Sequence, residues 1–206
     1  MRRRTAVLIS GRGSNMAALI AATQAQDHPA EIVLVVANRP DAAGLALARD
    51  AGVPALAIDH RPFRGDRAAH EAAIDAALRE AGVEIVCLAG YMRLLTPLLV
   101  DRWNGGMLNI HPSLLPAFPG LHTHERALAA GVRLHGCTVH LVTQTMDEGP
   151  ILAQAAVPVM PDDTAETLAA RVLVQEHIVY PLALRHFAAG IAPPPPSAEA
   201  ALRNPP

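Results

Sequence analysis

The chain has 206 residues, 51% hydrophobic, with a formal net charge of −2, which suits one sizeable core and a single domain. The only basic cluster is Arg2-Arg3-Arg4, so no nucleic-acid partner is expected; no run reaches ~18 apolar residues, so no membrane span is expected. Cys87 and Cys137 each sit in an apolar run and read as buried thiols of a reducing, cytoplasmic compartment.

Residues 5–9 are a β-rich run, followed by Ser10-Gly11-Arg12-Gly13-Ser14-Asn15. A helical pattern begins near Asn15, with Met16, Leu19 and Ile20 on one face. Strand, Gly-x-Gly loop and helix N-terminus together present backbone N–H groups to an anion. Position 16 is Met and no Gly-Lys-Ser/Thr follows, so the loop is neither a dinucleotide fingerprint nor a Walker loop. A phosphate site and a plain turn with a helix cap both remain open.

Residues 32–37 form a second strand, continuous enough to be buried on both faces. Asn38-Arg39-Pro40-Asp41 is a turn, with Asp41 expected as N-cap of a helix to Arg49. A third strand ends at Ile58, and 59–66 is a polar loop. A helix over 67–81 places Glu71, Asp75 and Arg79 on one polar line, Gly82 closes it, and 83–89 is the fourth strand. The alternation β-α-β-α-β-α-β with short connections indicates a mostly parallel, right-handed α/β sheet flanked by helices. Functional residues then belong beyond the carboxyl ends of the strands.

The fourth strand delivers Gly90-Tyr91-Met92-Arg93-Leu94-Leu95. Tyr91 and Met92 fit either a core cap or an apolar wall for a flat ligand. Thr96-Pro97 opens a helix to about Trp103. The apolar run 107–110 then meets Asn109-Ile110-His111-Pro112-Ser113-Leu114-Leu115-Pro116, with Pro119-Gly120 beyond. The prolines rule out a simple helix or strand continuation. Alternate residues of an extended segment share a face, so Asn109 and His111 point into one cleft.

Thr123 is expected to cap a helix to about Ala130. His122 and His124 have no cysteine partners at zinc spacing, and no metal is expected. Residues 137–142 and 151–159 read as an antiparallel strand pair in the C-terminal half, joined by a loop carrying Asp147-Glu148-Gly149-Pro150. Thr164 with Thr167 opens the last long helix, in which Pro181 is expected to place a kink. Glu176 on that helix fits a solvated face. Residues 191–206 are Pro-rich and expected to be a disordered tail.

Imidazole is the side chain most readily tuned for proton transfer, and an Asp beside an imidazole sets its tautomer and favours its charged form. Asn109 donates to an oxyanion without titrating. Asn109, His111 and Asp147 therefore suit transfer of an acyl group to a substrate that brings its own nucleophile. Residue chemistry alone leaves donor and acceptor open.

The octapeptide 109–116 with Pro119-Gly120, and Asp147-Glu148-Gly149-Pro150, resemble the folate-dependent formyltransferases over about residues 5–190. Within that family the chain resembles the branch that formylates phosphoribosylglycinamide. Three features carry this: the loop Gly11-Arg12-Gly13-Ser14-Asn15; the segment Gln175-Glu176-His177 with Tyr180-Pro181; and a length without the extra domains of the tRNA and deformylase branches. The resemblance implies a Rossmann-like formyltransferase domain over 1–190, with a phosphate-binding part at about 1–100 and a folate-binding and catalytic part at about 88–190. It implies 10-formyltetrahydrofolate as donor, no metal, and a substrate with a ribose phosphate. A homodimer is allowed. Asn109, His111 and Asp147 would be catalytic. Gly11, Arg12, Gly13, Ser14, Asn15 and Glu176 would hold the glycinamide, which reverses the solvated reading of Glu176. Arg67, Met92, Arg93, Leu94, Leu95, Asn109, His140, Val142 and Asp147 would contact the folate. The alternative is a formyltransferase or formyl-folate hydrolase acting on another amine or on water.

Overall fold

A computed structural model describes residues 1–191 of the chain; the expected disordered tail lies outside the described residues apart from Ile191. Among them, one sheet is built from β1 (Arg3–Ile9), β2 (Ala30–Ala37), β3 (Ala55–Ala57), β4 (Ile85–Leu88), β5 (Met107–His111), β6 (Leu134–Leu141) and β7 (Ile151–Pro158), in the order β3-β2-β1-β4-β5-β6-β7. The pairs from β3 to β5 are parallel, and β6 and β7 are added antiparallel. The helices are α1 (Ser14–Thr23), α2 (Gly44–Asp50), α3 (Arg67–Glu80), α4 (Pro97–Arg102), α5 (Thr123–Ala129) and α6 (Ala165–Ala188). The α/β expectation stands. No helix is long and apolar enough to cross a membrane among the described residues.

Alternation along β1 divides the core. Val7 and Ile9 join Met16, Leu19, Leu45, Val172 and Tyr180 on the side of α1, α2 and α6. Ala6 and Leu8 join Ile74, Leu78 and Leu99 on the side of α3 and α4. Both faces are covered, as a parallel sheet requires, and each fully buried Leu or Ile contributes about 1.5–3 kcal/mol of hydrophobic stabilisation. Tyr180, fully buried, donates its hydroxyl to the carbonyls of Leu88 (3.0 Å) and Leu108 (3.2 Å). That ties α6 to β4 and β5 close to where the strands end.

Several helix caps differ from the sequence expectation, while α4 does begin at Pro97 after Thr96 as expected. Asp41 does not cap α2; it pairs with Arg39 at 2.5 Å, and the N-cap position falls on Ala43. Gly44 donates its N–H to the Gly11 carbonyl at 3.0 Å, so packing against the glycine loop sets this helix start. Thr123 is the first residue of α5, after His122 at φ 57°, and its hydroxyl donates to the Pro112 carbonyl at 2.7 Å. Thr96 makes no side-chain cap; its N–H and hydroxyl both donate to the buried Glu71 carboxylate. For Thr123 and Thr96 a long-range acceptor outcompetes the local cap, and for Asp41 the neighbouring Arg39 guanidinium does. Thr164 and Thr167 do form a reciprocal capping box, and α6 runs through Pro181 as one helix.

Candidate active site

The loop after β1 wraps the N-terminus of α1. Gly13 precedes the helix at φ 76°, a left-handed conformation that glycine adopts without steric cost. A Cβ on Gly44 would lie 2.5 Å from Ile9 Cδ1 and 3.2 Å from both the Gly11 carbonyl oxygen and Gly13 Cα. Only a bare backbone fits there, and it holds the loop from behind. The loop opens on a cleft of ≈ 540 Å³ lined by Ser10 to Asn15, Asn38, Arg39, His60, Ala89, Gly90, Met92, Arg93, Leu173 and Glu176. It lies over the ends of β1 to β4, where the order reverses between β1 and β4, the usual ligand position in such sheets. A smaller cavity of ≈ 170 Å³ between α1 and α2 is lined by Ala17, Ala21 and Ala51 with Ile20, Leu47 and Gln24, and carries no titratable group.

Glu176 lies on the cleft side of α6 and is only 7% exposed. It accepts a 2.7 Å hydrogen bond from Asn15 Nδ2. Burial raises its pKa, with Asn15 opposing and His177 and His111 opposing less. It is therefore not a solvated helix residue.

At the head of β5, Asn109 pairs in register with Leu88 on one side and His140 on the other. Ala89, the next residue after Leu88, lines the cleft. Asn109 Nδ2 is 3.1 Å from His140 Nε2, and His140 Nδ1 is 2.9 Å from the Leu141 carbonyl. The carbonyl demands a proton on Nδ1, so Nε2 must accept, and this selects the nitrogen end of the Asn109 amide. Burial lowers the His140 pKa, with the Leu141 carbonyl and Asp147 opposing, which keeps the accepting nitrogen bare. One Asn109 N–H is thereby engaged and the other is available to a substrate.

His111 Nε2 lies 3.1 Å from the Phe118 carbonyl, and Nδ1 lies 3.6 Å from Asp147 Oδ2. Both ring nitrogens face acceptors, an arrangement that the imidazolium satisfies. Asp147 Oδ1 is 3.8 Å from His140 Nε2, and Oδ2 accepts the Gly120 N–H at 2.8 Å. Asp147 adopts φ 60°, a region that Asp tolerates better than most side chains. The structure thus brings Asn109, His111, His140 and Asp147 into one network.

The folate-side residues divide. Met92 and Leu94 are 67% and 60% exposed, while Leu95 and Val142 pack against the second core cluster. Exposed Leu121 and Met146 flank Asp147 in sequence or through Gly120, adding apolar surface beside the network. That surface suits a flat, partly apolar ligand. Arg93 lines the cleft. Arg67 stands exposed at the first position of α3 and does not line it. His122 pairs with Glu125 at 3.5 Å, and His124 stacks edge-on with His135 at 5.1 Å. Among the described residues no group of His, Cys, Asp and Glu is placed to hold a metal.

Sequence reasoning missed Ser10, Asn38, Arg39, His60 and Gly44. The first four lie at or just beyond the carboxyl ends of β1, β2 and β3, and that position was the available signal.

Residues 3–184 match the family described as formyl transferase. The chain is 43% identical to the phosphoribosylglycinamide formyltransferase of Escherichia coli, over 89% of this chain and 86% of that one. It is 51% identical to part of the trifunctional purine biosynthetic protein adenosine-3 of Bos taurus, covering 91% of this chain and only 18% of the length of that relative. The crystal structure of the Brucella melitensis phosphoribosylglycinamide formyltransferase superposes with a TM-score of 0.88 at 59% identity, covering 92% of this chain and 97% of that one.

Proposed function

The chain belongs to the formyl transferase family, and from that premise we propose that it transfers the formyl group of 10-formyltetrahydrofolate to the amine of phosphoribosylglycinamide in purine biosynthesis. The observation that carries this reading is the adjacency of two features. The glycine-loop cleft, suited to a ribose phosphate, is lined by Ala89, which follows Leu88, the register partner of Asn109 in the Asn109, His111 and Asp147 network.

In this reading the phosphate sits on the backbone N–H groups at the start of α1, and Glu176 takes the ribose hydroxyls. That remote binding helps place the amine. The formyl donor lies against Met92, Leu94, Leu95 and Val142, with Arg93 available to its carboxylates. Within one domain, residues of about 1–100 bind the phosphate and residues of about 88–190 bind the folate and carry the chemistry, with Glu176 reaching back to the ribose.

The amine nitrogen attacks the formyl carbon, and charge develops on the formyl oxygen. The free Asn109 N–H and a His111 N–H donate to that oxygen. The Phe118 carbonyl holds His111 Nε2 until the substrate replaces it. Asp147 orients the imidazole and takes up, through water, the proton leaving the amine. As the bond from the formyl carbon to the folate nitrogen breaks, His111 gives its proton to that nitrogen, and the proton taken up by Asp147 passes through water to His111, which restores both groups. The substrate brings its own nucleophile, so the enzyme forms no covalent intermediate.

The test is a formyl-transfer assay on purified protein with 10-formyltetrahydrofolate and phosphoribosylglycinamide. Formylglycinamide ribonucleotide and tetrahydrofolate are expected in equal amounts. Tetrahydrofolate release that does not depend on the glycinamide would overturn the transferase reading in favour of hydrolysis.

A further inference from the structure

The loop Gly90 to Leu95 projects Met92 and Leu94 into solvent, so apolar packing alone does not set its position. Beside the packing of Tyr91 and Leu95 against the core, polar anchors hold it. At its far end, Thr96 donates its N–H and hydroxyl to Glu71, a carboxylate only 2% exposed on α3. At its near end, Met92 donates its N–H to Ser10 Oγ at 2.8 Å. Ser10 belongs to the other loop, directly before Gly11. Both Ser10 and Met92 line the cleft.

Ser10 Oγ acts here as an acceptor. Its own O–H donates to no other group among the described residues, and it stands at the start of the segment proposed to cradle the phosphate. A hydroxyl has one proton to give and two lone pairs to offer. The Met92 bond uses a lone pair and leaves the proton for an anion. We propose that Ser10 is a positioning residue that couples the two substrate subsites, through a chain running from the Met92 N–H to Ser10 Oγ and from the Ser10 O–H to the substrate phosphate. This rests on the formyltransferase reading and extends it.

The physical consequence is mutual strengthening. A hydroxyl that donates to an anion becomes a better acceptor, because consecutive hydrogen bonds polarise one another. Phosphate bound on the glycine loop then tightens the hold on Met92 and fixes the loop that carries Arg93, Leu94 and Leu95. Folate bound against that loop strengthens phosphate binding by the same factor, as linkage requires.

The experiment uses the dead-end pair, phosphoribosylglycinamide with tetrahydrofolate, which has no formyl group to transfer. The dissociation constant of tetrahydrofolate is measured by titration calorimetry with and without saturating glycinamide. In the wild type the glycinamide is expected to tighten tetrahydrofolate about 5-fold or more. Ser10→Ala is expected to bring that ratio to about 1, while Ser10→Thr, which keeps the hydroxyl, retains most of it. A merely structural brace would lower the unfolding midpoint of Ser10→Ala and leave the ratio intact, and that result overturns the inference. So does a wild-type ratio of unity. Formyl transfer by the wild type is assayed alongside: its absence overturns the functional reading and this inference with it, whereas transfer with an unchanged Ser10→Ala ratio overturns the inference alone.

Discussion

Asn109 and His140 face each other across β5 and β6 with the amide nitrogen 3.1 Å from the imidazole Nε2. The histidine is held in one tautomer by the Leu141 carbonyl, so it dictates which end of the amide it meets. The remaining Asn109 N–H is aimed by a residue that need not touch the reacting atoms. Asn109→Ala is expected to lower kcat about 10²- to 10³-fold, as loss of one oxyanion donor does. His140→Ala leaves the donor in place but frees it to turn, and a smaller loss of about 10- to 100-fold is expected. Steady-state kinetics with both substrates varied separates the two; equal losses would place His140 in direct contact with the chemistry.

Asp147→Asn keeps the shape that accepts the Gly120 N–H and removes the charge facing His111 and His140. The transfer rate is expected to fall about 10²- to 10⁴-fold, the range of a lost acid–base contribution, with the rate–pH profile displaced. A kcat and profile matching the wild type would remove Asp147 from the reaction.

Glu176→Gln separates binding from stability. Burial raises the folded-state pKa of Glu176, so the folded protein holds this proton to higher pH than the unfolded chain does. Stability from this group is complete below the unfolded carboxylate value of about 4.3 and is lost as pH rises through the folded value. Glutamine can still accept from Asn15 without burying a charge. The variant is expected to show a higher urea midpoint than the wild type at neutral pH, with the difference closing towards pH 4. Its KM for the glycinamide is expected to rise about 10-fold or more, the effect of losing a charged hydrogen-bond acceptor.

Gly44→Ala tests the support behind the glycine loop. The added methyl would sit 2.5 Å from Ile9 Cδ1, and overpacking of this kind costs about 1–3 kcal/mol. If the loop moves to relieve it, KM for the glycinamide rises while kcat is largely retained. Denaturant unfolding together with kinetics reads both effects, and an unchanged KM would show that the loop is placed independently of α2.

Much of the fold was legible because its determinants are local. Strand runs, short connections and glycine punctuation specify alternating strands and helices, and chain direction then specifies which ends carry function. The loop 11–15 and the pair Asn109 and His111 were legible for the same reason, since residues two apart on a strand share a face wherever the strand lies. Local rules failed where another partner, near or distant in the chain, competed for the capping group. Asp41 looks like a helix cap until Arg39 pairs with it. Thr96 looks like another until Glu71, 25 residues away, takes both of its donors.

By itself the sequence determined the α/β class, the strand ends that bear chemistry, and the residue types needed for acyl transfer to a nucleophilic substrate. Tertiary structure decided which of those residues meet. Asn15 and Glu176 are 161 positions apart, Ser10 and Met92 are 82 apart, and Asn109 faces His140 only through the β5–β6 register. The physical reason is that strand order and register are global solutions. They are set by burying both faces of the sheet at once, and no short stretch of chain encodes them.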